Sequence, residues 1–438
     1  MKTKMAVRYQ VMNLSRTSLF FRRLNCAARL CALVFALIGF AACDQPAQSP
    51  DGVWRGFVKN NSGEEVAFTL EVKREGDKIV GSLVNGDERT TSTSGSFDGK
   101  TLKLRYDFYD GELTATIAGD ELRGTFDRQW RRQILKRELH AKREGNVQAA
   151  ASSNSGADVT GEWVMRVGDE PKQSFWRAAF KQQGSLLRGT IIPVSGDWGE
   201  LAGTFENHQL TLNRFDGINC RVFKATLTPQ GTLEGFVDLG GSAPKRKVVA
   251  ERITAGNQAA VANLPDPNNY TRMSNAAEPF RFSFPDLDGK IVSSTDERFK
   301  DKVVIVTITG SWCPNCHDEA PVLQEFYDRY RAQGLEVVAL AFEYTGNAER
   351  DLEQVKIFAK RHGIEYPMLY AGATDETEKK LSQLVNFGAY PTAIYIGRDG
   401  LVKHIHAGFE GRATGERFTR LKAEMEELIK ELLSAKDS

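Results

Sequence analysis

Cys313-Pro314-Asn315-Cys316 places two thiols three residues apart. If a helix begins at Pro314, a favoured first helical residue, both sulfurs fall at its first turn and on one face. A disulfide can close and reopen there. Backbone N–H groups without helical partners surround the first sulfur, and the helix dipole favours thiolate over thiol at Cys313. The chemistry this permits is thiol–disulfide exchange: Cys313 attacks, a mixed disulfide forms, and Cys316 resolves it. With His317 the same run also reads C-x-x-C-H, the attachment pattern of c-type haem. Zinc is a weaker reading, because a single C-x-x-C brings no second ligand pair at finger spacing. Glu319, three residues past Cys316, is either a base for Cys316 or an acid that only steadies the first helical turn.

Such a pair needs a rigid strand before it and a sheet around it. The β-branched run 303–309 reads as a strand buried on both faces, ending at a Gly310-Ser311 turn. Residues 335–342 read as a second apolar strand and 348–362 as a helix. Residues 366–370 are short and extended, and 375–384 read as another helix. Residues 392–396 and 401–406 form a hairpin across 397–400, and 417–433 a closing amphipathic helix. Before them, 280–284 and 288–292 make a strand-turn-strand. Strands alternating with crossover helices imply a mixed sheet covered on both faces.

Trp312 before the first cysteine, Pro321 five residues after Cys316, and Tyr390-Pro391-Thr392 add a more specific signal. Through them the stretch from about 279 to 433 resembles the thioredoxin superfamily, and within it the extracytoplasmic TlpA/ResA-like thiol–disulfide oxidoreductases. The resemblance implies an α/β thioredoxin-like domain that needs no cofactor and reduces protein disulfides. It implies a redox disulfide between Cys313 and Cys316, with Cys313, Cys316, Glu319 and Pro391 as catalytic residues. Pro391 would be cis, leaving the Tyr390 backbone open to an extended substrate, with Trp312, Tyr390 and Thr392 contacting it. Thr307 stands where cytosolic thioredoxins carry a buried acid, and Glu319 falls where ResA-like proteins carry one. A membrane thiol reductase would supply electrons. Neither the strand nor Trp312, Pro321 and Tyr390-Pro391 has a role in haem attachment, so haem falls far behind and His317 becomes a surface residue of the helix. Peroxiredoxins usually carry a proline upstream of their cysteine, and 305–309 has none.

The remaining chain is the larger part. Its 438 residues predict two to four domains. Residues 1–42 carry seven basic and no acidic side chains, so removing them takes the net charge from +1 to −6. A slightly acidic body without a basic stripe argues against nucleic acid as a partner. The basic stretch, the apolar core 30–42 and then Cys43 resemble a bacterial lipoprotein signal, with Cys43 lipidated and residues 43–50 a tether from the membrane. Cys26 and Cys31 would leave with the signal peptide, and the lone Cys220 reads as a buried, inert thiol.

An internal repeat follows. Gly52-Val53-Trp54 recurs as Gly161-Glu162-Trp163, and Gly95-Ser96-Phe97 as Gly203-Thr204-Phe205. Short alternating runs between Gly, Asp and Asn turns mean antiparallel strands with one wet face. The fold class is therefore two antiparallel all-β repeat units, each a barrel or sandwich or both closing one larger barrel, followed by an α/β thioredoxin-like domain. The divisions are 51–140 and 158–253 for the repeat units, linkers at 141–157 and 254–278, and 279–438 for the last domain. Trp54, Trp163, Trp176 and Trp198 are expected in strand cores. The basic residues from Arg128 to Arg137 read as a solvated terminal segment. The function implied is an envelope-facing, membrane-tethered thiol–disulfide oxidoreductase acting on protein thiols and disulfides. The alternative is an envelope binding or scaffold protein whose β repeats recruit a partner, with the redox domain accessory.

Overall fold

The computed structural model describes residues 48–145, 156–241 and 243–435. Cys43 and the basic, apolar leader lie outside them. The two repeat units fold separately and do not share one barrel. In the second, eight strands from Gly161–Val167 to Arg246–Arg252 form a closed antiparallel barrel in sequence order. The first is a nine-stranded sheet from Gly52–Lys59 to Gln133–Arg143. Its ends are Glu88–Thr91, paired with Lys78–Asn85, and Ser94–Phe97, paired with Thr101–Tyr106. Those end strands are consecutive in the chain, so the sheet turns a corner at Ser92-Thr93 and does not close by a continuous ladder.

Alternation dictates the cores. Along Lys78–Asn85, Ile79 and Leu83 point inward while their neighbours stay wetter. The repeated tryptophans do the same job twice. Trp54 and Trp163 are fully buried, and each indole N–H donates to the carbonyl four residues earlier, Pro50 and Val159, at 2.9 and 3.0 Å. The last strand of each unit lays an arginine over that indole, Arg143 on Trp54 at 4.2 Å and Arg252 on Trp163 at 4.7 Å. Trp176 and Trp198 are also buried, edge to face at 5.6 Å. The basic run is not all solvated: Arg128 and Arg137 are buried, Arg128 against Trp130, because the alternate positions of these strands face a neighbouring unit. Cys220 is a buried free thiol that burial pushes up to about 12.

The two units pack on each other through Phe215, whose ring meets Phe68 and Phe126 edge-on at 5.8 and 5.3 Å. Beside it the buried Arg214 reaches Glu88 of the first unit at 2.6 Å and Asp216 at 2.8 Å.

The last domain is a five-stranded mixed sheet. Met368–Ala373, Leu335–Glu343 and Val303–Thr309 run parallel, and Thr392–Ile396 and Val402–Ala407 complete it antiparallel. Every residue of Val303–Thr309 is buried. Val303 and Ile305 share a core with the helices Pro314–Tyr330, Ala348–His362 and Glu416–Ser434. Val304, Val306 and Ile308 face the opposite layer with Phe280, Phe282 and Leu381.

Two expectations fail here. The helix expected at 375–384 is only Thr377–Lys380, because the chain then returns as Leu384–Val385 to pair with Arg272–Met273. Tertiary pairing overrides helix propensity. By the same pairing the expected linker at 254–278 is partly built, with a short helix Pro267–Tyr270 capped by Asp266.

Candidate active site

Val303–Thr309 ends at Gly310, where an added Cβ would lie 2.4 Å from the Trp312 indole nitrogen. Glycine therefore lets Trp312 fold back and donate its Nε1–H to Phe342 O at 2.9 Å. Cys313 is the N-cap of the Pro314–Tyr330 helix, and its Sγ accepts the Cys316 N–H at 3.3 Å. Both cysteines are free thiols and nearly closed to solvent, Cys313 4% exposed and Cys316 1%. The Tyr390–Pro391 bond is cis, as the resemblance implies, and Tyr390 O accepts the Cys313 thiol at 3.4 Å. The Tyr390 ring meets Trp312 at 5.2 Å. Trp312, Cys313, Tyr390 and Pro391 thus converge. Thr392 lies beneath them, fully buried, its hydroxyl donating to Ala389 O at 2.8 Å.

Below the cysteines, Glu319 is 2% exposed and accepts the Thr307 hydroxyl at 2.7 Å. Burial raises its carboxyl to about 7, against the opposing pull of that hydrogen bond. Burial, and then Cys313, push the Cys316 thiol well up. Cys313, Cys316 and Glu319 recur every three residues along one helix face.

Three further groups have surroundings the sequence did not show. Glu343, buried at the end of its strand, accepts both the backbone N–H and the hydroxyl of Ser311, at 2.7 and 2.8 Å, and burial raises it to about 8. An acid closing an apolar strand is the signal by which the sequence could have shown it. His317 is not a surface residue. Its Nε2 sits 2.8 Å from Ser311 O, so that nitrogen carries the hydrogen, leaving Nδ1 to accept from His362 Nε2 at 2.8 Å. Burial holds His317 well below its usual value, hence neutral. With both nitrogens engaged, His317 has none free for an axial haem bond, and haem does not fit this site. Among the described residues no three His, Cys, Asp or Glu side chains gather to hold a metal. Third, the β units reach the residues that flank the dithiol. His317 meets the Tyr109 ring at 5.1 Å, Tyr344 OH donates to Gln129 O at 3.0 Å, and Asn315 Nδ2 lies 3.4 Å from Ser195 O.

The strand, the cysteine-capped helix and the cis proline define a thioredoxin-fold protein of thiol–disulfide chemistry. Residues 273–420 match the Redoxin family. Thiol-disulfide oxidoreductase ResA of Bacillus anthracis is 31% identical over 131 residues, 30% of this chain and 68% of that protein. Thioredoxin-like protein YneN of Bacillus subtilis is 30% identical over 148 residues, 34% of this chain and 74% of that one. A solved thioredoxin-family thiol:disulfide interchange protein of Chlorobium tepidum is 27% identical, covering 37% of this chain and 98% of its own, with a TM-score of 0.29. The chain belongs to the ResA-like thiol–disulfide oxidoreductases. The Redoxin match begins after the second β unit, so both repeats lie outside it.

Proposed function

We propose that this protein reduces protein disulfides in the bacterial envelope, tethered to the membrane by a lipid on Cys43 and recharged by a membrane thiol reductase. The domain divisions follow those read from the sequence except at two edges: the first unit runs on to Arg143, and the catalytic part takes in Arg272–Met273 ahead of 279–438. The observation that carries the reading is the Cys313 sulfur, held at a helix mouth between the Cys316 N–H and the Tyr390 carbonyl.

Cys313 thiolate attacks one sulfur of the client disulfide; the S–S bond breaks and the other client sulfur leaves as a thiolate that takes up a proton. Glu319 then accepts the Cys316 proton. The new Cys316 thiolate attacks Cys313 Sγ, the mixed disulfide breaks, and the second client sulfur leaves. Two electrons have passed to the client, and the Cys313–Cys316 disulfide must be reduced by the membrane donor. Trp312, Tyr390 and the cis Pro391 hold the client strand, and Thr392 supports that turn from beneath. A fully buried Cys316 has no solvent base, which is the work Glu319 does.

The test is exchange with a disulfide-bonded client. Cys313→Ser should abolish turnover, and Cys316→Ser should accumulate the mixed disulfide. Glu319→Gln should slow resolution by about 10²-fold and remove the rise in rate through about pH 7. Unchanged exchange in Cys313→Ser would sink the reading.

A further inference from the structure

The strand ladder of the second β unit opens after Gly189, which pairs with Leu201, and the chain between makes an excursion out to Glu200. That excursion is held by its own hydrogen bonds. Gly196 N–H donates to Pro193 O at 3.0 Å, Trp198 N–H to Ile191 O at 2.9 Å, and Gly199 N–H to the Asp197 carboxylate at 2.8 Å. Trp198 roots it in the barrel beneath Arg221, at 4.7 Å. Its tip lies against the segment Gly408–Gly411, which flanks the cis proline because Gly408 N–H donates to Pro391 O at 2.7 Å.

The approach is backbone on backbone. Gly196, at φ +107°, has no room for a side chain: a Cβ would fall 1.9 Å from Asn315 Nδ2 and 2.2 Å from Phe409 O. A Cβ on Gly408 would fall 2.3 Å from Val194 O. Asn315, the second of the two residues between the cysteines, bridges Ser195 O and Phe409 O, and Asp197 accepts the Gly411 N–H. On the opposite side of Cys313, Trp312 stacks edge-on with Tyr344 at 5.7 Å, and Tyr344 is held by Gln129 O and by the Trp130 ring at 5.1 Å. Each β unit therefore walls one side of the dithiol.

We propose that the two β units form a collar that selects clients by width. It admits a disulfide carried on a single extended strand and turns away one embedded in a folded surface, with Gly196 and Asp197 as the specificity-determining residues on the second unit's side. A folded client must lift the Ser195–Asp197 tip off Asn315 and Gly411 before its sulfur meets Cys313. This inference rests on the proposed role of Cys313.

The experiment uses the full chain. One cysteine peptide is presented as a disulfide to itself, or to a surface cysteine of a folded carrier, and both exchange rates are measured. The wild type should prefer the free peptide. Gly196→Leu, whose side chain does not fit against Phe409 O, and Asp197→Ala, which loses one charge-assisted hydrogen bond, should each raise the carrier rate about tenfold and leave the peptide rate unchanged. Alkylation of Cys313 provides a reading independent of turnover: a polymer-linked maleimide should lag iodoacetamide in the wild type and catch up in Asp197→Ala. Equal carrier-to-peptide ratios in all three proteins would overturn the collar. Loss of peptide exchange in the wild type would overturn the role of Cys313, and the collar with it.

Discussion

The two β units are copies of one plan put to different uses at one point. In the first, the turn after Lys78–Asn85 is tight, and Gly86 lets it close with φ +59° directly into Glu88–Thr91. In the second, the matching turn after Leu186–Ile192 is the excursion that ends at Glu200 and carries Ser195, Gly196 and Asp197 to the catalytic helix. The first unit reaches the same helix from the Asp107–Tyr109 turn, and its Gln129–Trp130 hairpin end meets Tyr344 beside Trp312. A duplicated scaffold keeps its plug and its closing arginine, while the loops that meet the neighbour diverge. Cores in these units are set by packing and loops by the surface they serve.

The largest test asks whether the copies are equivalent inside. Trp54→Ala and Trp163→Ala should each cost about 3–5 kcal/mol in denaturant unfolding, since each empties a fully buried indole and strands an arginine. A cost at one site only would break the equivalence.

Next comes pH, where the copies should differ. Asp197 of the second unit and Asp318 of the catalytic helix both lie beside Gly411, where an added Cβ would sit 3.2 and 2.6 Å from their oxygens. Burial raises Asp197 to about 6, and burial with Asp197 and Glu88 nearby raises Asp318 to about 8, against Arg214 and Arg412. Both folded-state values exceed the ordinary carboxylate value. Their contribution is therefore complete below about pH 4 and is lost as pH rises through about 6 and about 8. Hydrogen exchange at Gly196–Trp198 should accelerate over that range beyond the intrinsic pH effect, and more than at Gln129–Trp130. Equal acceleration would remove the distinction.

The smallest effect sharpens the first unit's side. Tyr344→Phe removes only the hydroxyl bond to Gln129 O, and should cost about 1 kcal/mol in unfolding without changing exchange with a small peptide disulfide.

What could be read in advance follows the same division. The helix Ala348–His362 and the strands Val303–Thr309 and Thr392–Ile396 have the bounds their patterns imply, because apolar period and flanking turns are local signals. The cysteine-capped helix start and the cis Tyr390–Pro391 bond followed from motif and resemblance. Asn315 against Ser195 did not, since 120 positions separate them and nothing in Pro193-Val194-Ser195-Gly196 marks it as more than a turn. His317 went astray for a related reason: its partners Tyr109 and His362 come from another unit and another helix. The burial of Arg128 and Arg137 was hidden likewise, because a charged run declares exposure until a neighbour covers it.

Glu319 rides on the helix that also carries Cys313 and Cys316, whereas its hydroxyl partner Thr307 belongs to the central strand. Nucleophile, resolving thiol and acid therefore travel as one rigid cartridge, their mutual spacing fixed by helical pitch alone. Should the helix rock when a client docks, all three would keep step, while the bonds of Glu319 to Thr307 and of Cys313 to Tyr390 O would have to stretch.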